Sequence, residues 1–459
     1  MVAAVDRLEA GTVIDGFRVV RCVHSGAMGQ LFEVTREGDA APMVMKVPRF
    51  GIADSNELLL AFETEAMILQ RLRDAYSPRF VAAGDVTRVP YIVTEYIAGR
   101  SLDRRERPRI AVEELAPLAA RIADALHAVH IQGVVHHDLK PDNVMVKPDG
   151  HAVLIDFGLA HHRDLPDLIA EERRFAAGSA PYVSSEQVRR RPGDPRSDLF
   201  ALAVMMYELA TGELPFGVPM TAAGTRDRLW RRPVPPRALA NDMPPWMQEV
   251  ILRCLEPEAD RRYQSAAHVA FDLRHPGQVV LTSRAIKLKA TPVLSQVVRW
   301  WRSRELGVQG GAAPETDAHV VMVAVDTMHP DDLRQPELQR ATRRMLSIAG
   351  EYRLICVSVI PGGPGVNVGQ EVVDSVREHR IRLRHWVDPL EVPPERISLH
   401  VIEAADPANA LLEFAHANHV DLIVLGAPAP NEMRFAWWRS VASTVTANAD
   451  CTVHVVRRG

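Results

Sequence analysis

Hydrophobic and polar positions change rhythm along the 459-residue chain, and the changes mark its parts. From about residue 11 to 100, the runs FRVVRCV, QLFEVT, MVMKVP and YIVTEYI predict β-strands. They surround one helical segment, ELLLAFETEAMILQRL, whose apolar residues recur at three- and four-residue steps. Residues 112 to 275 predict helices instead, among them EELAPLAARIADALHAVH and SDLFALAVMMYELATG, broken by loops rich in Pro, Gly and Asp. A small β lobe is thus followed by a helical one. Between about 277 and 317 the rhythm fails: SRAIKLKATPVLSQVVRWWRSRE is basic, and GVQGGAAPETDA has the composition of a flexible linker. Beyond it the strand runs VVMVAV, RLICVSVI, ISLHVI, DLIVLG and TVHVV alternate with helical stretches such as PELQRATRRMLSIAG and ANALLEFAHANH. That alternation predicts a parallel, doubly wound α/β sheet.

Composition adds limits rather than detail. A chain with 47% hydrophobic and 24% charged residues is expected to be mostly folded, as two domains. A net charge of -4 gives no global drive toward nucleic acid or anionic lipid. Cys22, Cys254, Cys356 and Cys451 lie far apart without CxxC spacing, which signals neither a metal site nor a disulfide frame and suits a reducing, cytoplasmic setting. No apolar run approaches the roughly 20 residues of a membrane span. The stretch around Trp300 and Trp301 is expected to pack its indoles on the preceding domain, in preference to lying on a membrane.

The chemistry is concentrated in four places. In HSGAMGQL, Gly26 and Gly29 form a turn between strands where backbone amides can approach phosphates, although a plain hairpin reads the same way. Lys46 sits inside the apolar run MVMKV, where a lone ammonium must reach water or meet an anion, and Glu65 on the following helix is a suitable partner. VVHHDLKPDNVMV and VLIDFGLA then frame a polar loop and an Asp-Phe-Gly. Phosphoryl transfer needs metal ligands, a cation at the transferred group and an acceptor for the substrate proton. Asp156 and Asn143 offer hard oxygen ligands, Lys140 offers the cation, and Asp138 is left for the hydroxyl.

Taken together, residues 12 to 275 resemble the bacterial eukaryotic-like (Hanks-type) Ser/Thr protein kinases. The resemblance implies an α+β two-lobed kinase fold with an N-lobe over 12–98 and a C-lobe over 99–275. It implies ATP with Mg²⁺ or Mn²⁺ as cofactors and protein substrates as partners. Lys46 would hold the α/β phosphates with Glu65 orienting it, Asp138 would be the catalytic base, and Asn143 and Asp156 would bind metal. Thr94 would be the gatekeeper, with the backbone of Glu95 and Ile97 gripping adenine. Glu186 resembles the Glu of Ala-Pro-Glu, Arg262 its buried partner, and Asp198 the Asp that braces the catalytic loop. A nucleotide-binding pseudokinase scaffold is the alternative, and the retained base and metal ligands favour catalysis.

Several positions depart from the family pattern. His24 replaces the first loop glycine, Ser184 and Ser185 stand before Glu186, and Ala203 stands where Gly is common. His137 replaces the Arg that normally precedes the catalytic Asp and pairs with a phosphorylated loop. That loop has no Ser, Thr or Tyr between Asp156 and Ser179. With both halves of the switch missing, control by phosphorylation within the loop is not expected. Glu171 and Glu172 are expected mainly to solvate it.

After the connecting segment, 276–317, residues 318–459 resemble the universal stress protein family, which implies a five-stranded α/β domain, often dimeric and in many members ATP-binding. Asp326 matches the family's adenine-side Asp. The phosphate motif here reads Gly426, Ala429, Arg439 and Ser440; an Ala forced to φ > 0 and a bulky Arg weaken it. The reading therefore favours a dimerisation or sensing module over a second nucleotide site at Asp326, Gly426 and Ser440.

Overall fold

The computed structural model describes residues 8–26, 29–39, 41–48, 55–73, 75–84, 90–102, 109–168, 178–191, 193–219, 222–289, 319–328, 335–348, 351–361, 370–393, 396–427 and 441–456. Six strands build the first sheet: β1 (Val13–Ile14), β2 (Phe17–Ser25), β3 (Gly29–Arg36), β4 (Met43–Pro48), β5 (Phe80–Ala83) and β6 (Ile92–Glu95). Their order is β1-β2-β3-β4-β6-β5, every pairing antiparallel. Alternation sends Phe17, Val19, Phe32, Val34, Met43, Met45 and Val47 into one buried core. Lys46, between Met45 and Val47, must therefore face the other way. Gly29 is required where β3 crosses β4, since a Cβ there would lie 2.7 Å from the Val47 carbonyl oxygen.

Helix α1 (Ser55–Leu69) packs beside this sheet. Between 58 and 69 no residue of it is exposed, so each of its faces is covered.

The helical lobe holds α2 (Val112–Ile131), α3 (Ser185–Val188), α4 (Arg196–Thr211), α5 (Ala222–Thr225), α6 (Pro245–Cys254) and α7 (Ala266–Arg274). Short strands β7 (Arg100–Ser101), β8 (Val134–Val135), β9 (Val144–Val146), β10 (Ala152–Leu154) and β11 (His161–His162) edge its loops that carry Asp138 and Asp156. Helix α4 is apolar almost all round and buried from Ser197 to Thr211, which makes it the axis of the lobe. It ends where Gly212 turns left-handed at φ 78°. Residues 279–287, within the segment expected to connect the domains, fold onto this lobe. Glu249 accepts from the amides of Thr282 and Ala285 at 3.0 and 3.1 Å, and the Gln248 side chain donates to the Arg284 and Lys287 carbonyls at 2.6 and 2.9 Å. Trp300 and Trp301 lie outside the described residues.

The second domain is a five-stranded parallel sheet of β12 (His319–Ala324), β13 (Tyr352–Ile360), β14 (Ile397–Glu403), β15 (Leu422–Gly426) and β16 (Thr452–Val456), ordered β14-β13-β12-β15-β16. Val321, Val323, Leu354 and Cys356 face one core with α8 (Gln335–Ile348) and α9 (Gln370–Val387). Met322, Ile355 and Val357 face the other with α10 (Pro407–Ala417) and α11 (Val441–Asn448). Helices on both faces make the doubly wound layer order. No described helix is long and apolar enough to cross a membrane.

One buried ion pair ties the helical lobe together. The Arg262 guanidinium grips Glu186 in a two-pronged pair at 2.6 and 2.8 Å and donates to the carbonyls of Arg196, Glu256 and Pro257. Removing one partner strands the other charge in the interior. Glu186→Ala is expected to cost about 3–5 kcal/mol, read as a lower urea midpoint for the helical lobe. A midpoint equal to wild type would contradict that role.

Candidate active site

The small and helical lobes meet at a cluster of charges whose geometry follows from the elements that carry them. Lys46 Nζ lies 2.5 Å from Glu65 Oε2 and 3.0 Å from Asp156 Oδ1, which links β4, α1 and the Asp-Phe-Gly segment through one cation. Burial alone would lower the Lys46 pKa, but the Asp156 and Glu65 carboxylates outweigh it and hold the amine above its ordinary range. Burial raises the Glu65 carboxyl, with Lys46 opposing, whereas Lys46 draws Asp156 below the usual carboxylate range.

The catalytic-loop carboxylate is held at both oxygens. Asp138 Oδ1 accepts from the Ser179 amide at 2.6 Å, and Oδ2 accepts from Lys140 Nζ at 2.9 Å and Asn143 Nδ2 at 3.1 Å. Lys140 also donates to the Ser179 hydroxyl at 2.8 Å. Asn143 spends its Nδ2 on Asp138, including the backbone oxygen at 2.9 Å. Its Oδ1, with the Asp156 carboxylate, provides the hard oxygen donors that suit a divalent cation in Mg²⁺ chemistry. Among the described residues, no group of three or more His, Cys, Asp or Glu is placed to hold a metal ion.

The loop that carries these residues is strained and braced. His137 and Asp156 adopt φ of 61° and 65°, a left-handed conformation costly for residues with a Cβ. Asp198, in the first turn of α4, offsets the strain at His137. Its two oxygens accept from the amides of His136 and His137 at 2.8 and 2.9 Å and from His130 Nε2 at 2.8 Å. Burial would raise the Asp198 carboxyl, yet the His130 hydrogen bond and neighbouring imidazoles bring it down to about 2. Gln187 Nε2 donates to the His137 carbonyl at 2.8 Å, and a Cβ on Gly178 would lie 2.9 Å from that same oxygen.

His137 is turned inward. Its Nε2 accepts from the Gly193 amide at 3.2 Å, while Nδ1 is buried and has no hydrogen-bond partner among the described residues. Burial pushes its pKa below 6.5. The ring is therefore neutral near pH 7 and offers no cation to a loop phosphate.

The other predicted positions are placed as follows. Gly26 donates to the Gly29 carbonyl at 3.0 Å across the hairpin. Thr94 and Glu95 end β6, Ile97 follows it, and the Glu95 amide is taken by the Arg79 carbonyl at 3.0 Å. Asp326 is exposed just past β12, with Oδ1 accepting from Met328 at 2.9 Å, and Gly426 ends β15. Ser440, Ala429, Arg439, Glu171 and Glu172 lie outside the described residues. Ser179 is the site residue that sequence reasoning passed over; its hydroxyl directly after Gly178, at the end of a hydroxyl-free loop, was the available signal.

Residues 17–272 match the family model of the protein kinase domain, and residues 318–457 match that of the universal stress protein family. The chain belongs to the protein kinase family, with a universal stress protein domain following the kinase domain. Over 233 residues it is 31% identical to a probable serine/threonine-protein kinase of Clostridium acetobutylicum, covering 50% of this chain and 35% of that protein. Over 290 residues it is 33% identical to the serine/threonine-protein kinase PknB of Mycolicibacterium smegmatis, covering 60% and 44%. Among solved structures, the PknI kinase domain of Mycobacterium tuberculosis aligns at 23% identity and a TM-score of 0.46, covering 58% of this chain and 99% of that one. The chain thus spans less than half the length of those two curated relatives.

The state of His137 carries a pH consequence. Its folded pKa is depressed, so the unfolded ring takes up a proton first as pH falls through about 6.5. The stabilisation is complete above that value and is lost below it, by up to about 1.4 kcal/mol per pH unit until the folded pKa is reached. Urea midpoints are expected to fall between pH 7.5 and 5.5, and less steeply in His137→Gln. Equal slopes would show that His137 is not a source of the acid sensitivity.

Proposed function

We propose that this chain is a Ser/Thr protein kinase that transfers the γ-phosphate of ATP to protein hydroxyls. The observation that carries the reading is Asp138, held at both carboxylate oxygens by Ser179, Lys140 and Asn143, so that it points at one fixed place. There it accepts the proton of the attacking hydroxyl. Lys140, within reach of both Asp138 and Ser179, neutralises charge on the transferred group. Lys46 holds the α/β phosphates while Glu65 fixes the direction of its amine. Asn143 and Asp156 hold Mg²⁺ or Mn²⁺, which when bound offsets the charge of the β- and γ-phosphates. Adenine lies against the Glu95 and Ile97 backbone, with Thr94 behind it and Gly26 and Gly29 over the phosphates.

The catalytic unit is assigned to residues 12–275 and the second unit to 318–459, as a regulatory or dimerisation module. Control by phosphorylation within the loop is absent on this reading, because the hydroxyls are missing and His137 is neutral and inward-facing.

Transfer of radiolabel from ATP to a mixed protein substrate tests the assignment. Asp138→Asn is expected to lower kcat at least about a hundredfold with little change in nucleotide affinity, since general-base contributions are typically about 10²–10⁴-fold. Lys46→Met is expected to weaken both. Wild-type labelling no greater than that of Asp138→Asn would instead support a nucleotide-binding scaffold.

A further inference from the structure

The second domain lies against the helix that carries Glu65. Helix α9 packs on α1, and the Arg380 guanidinium, nearly buried, pairs with the Glu63 carboxylate. Glu63 and Glu65 are two residues apart on a helix of about 100° per residue, so their side chains leave on opposite sides. One side meets Lys46 and the other meets the second domain. The same domain reaches the loop after Asp-Phe-Gly: Arg353 on β13 is half-buried and lowered to about 10 by that burial, with the Asp167 carboxylate pulling the other way. Asp167 in turn receives His161 Nδ1 at 3.1 Å, and the adjacent Leu168 is buried against Leu60 of α1. Arginines from the second domain thus act on α1 and on the loop, where a phosphorylated kinase loop would meet arginines of its own lobe.

Resting on the kinase reading above, we propose that Arg380 is a positioning residue for phosphoryl transfer. By pairing with Glu63 on the outer side of α1, it fixes the rotation of the helix whose inner side presents Glu65 to Lys46. Helix α1 makes the dependence intelligible. It has no exposed side between 58 and 69, so a kinase lobe without α9 uncovers the part of α1 on which α9 packs, Glu63 included. Detaching α9 therefore changes what α1 prefers to bury, and Glu65 moves with it.

A charge swap in the full chain tests this. Arg380→Glu and Glu63→Arg, made singly, are each expected to lower kcat by about 5- to 150-fold, the usual span of coupling between sites. Amides of α1 should also exchange faster with solvent deuterium. The double variant should return both readouts to within about threefold of wild type. Arg380→Gln serves in the same way if the reversal prevents folding. Unchanged kcat and exchange in the single variants, or a double variant as impaired as the product of the singles, would overturn the proposal. The exchange arm needs no catalysis: if the wild type transfers no phosphate, the kinase reading fails while protection of α1 still decides the docking.

Discussion

The arrangement of the first domain depends on a single cation held between two carboxylates. Lys46 is on a strand whose alternate residues are locked in a core, Glu65 on a helix, and Asp156 on a loop in left-handed backbone. Burial works against the charge of all three groups; Lys46 draws Asp156 below the usual carboxylate range, while burial outweighs its pull on Glu65. If α1 withdraws, Glu65 leaves with it and the Lys46–Glu65 pair is broken, a loss of about 3–5 kcal/mol for buried pairs. The helix, the strand and the loop are therefore coupled by electrostatics as well as by packing.

A second network fixes the catalytic loop from below. Asp198 holds the amides of His136 and His137 and so stabilises the left-handed turn that aims Asp138. Gln187 and Gly178 close on the His137 carbonyl, which links that turn to the segment bearing Ser179. Ser179 then returns to Asp138 through its amide and to Lys140 through its hydroxyl. Asp198 and Gln187 hold the amide and carbonyl of His137 itself, which explains how the loop keeps its shape with a neutral imidazole in place of a guanidinium.

Most of this was legible in the sequence because it is written in local rhythm and spacing. The strand runs of both domains stand where alternation and apolar blocks predict them, and Asp138, Lys140 and Asn143 lie within a few residues of one another. What was hidden depends on distance in space. Helix α9, QEVVDSVREHRIRLRHWV, is so rich in charge that its apolar face is hard to see, yet His379 and Arg380 in it are buried. Arg380 meets Glu63 of α1, a partner that no local pattern reveals, while His379 pairs with the Thr327 hydroxyl of its own domain. The contribution of Ser179 was hidden for the same reason, since a lone serine after a glycine gains meaning only when Asp138 and Lys140 are seen beside it. The folding of residues 279–287 onto the helical lobe likewise rests on Gln248 and Glu249, more than 30 residues earlier in the chain.

On the proposed function, the Lys46–Glu65–Asp156 assembly stands without a phosphate on the loop. Its most direct test is the time course of phosphate transfer by phosphatase-treated, full-length protein after the phosphatase has been removed. The rate is expected to be constant from the first turnovers and equal to that of untreated protein. An initial lag that disappears after preincubation with ATP would contradict it.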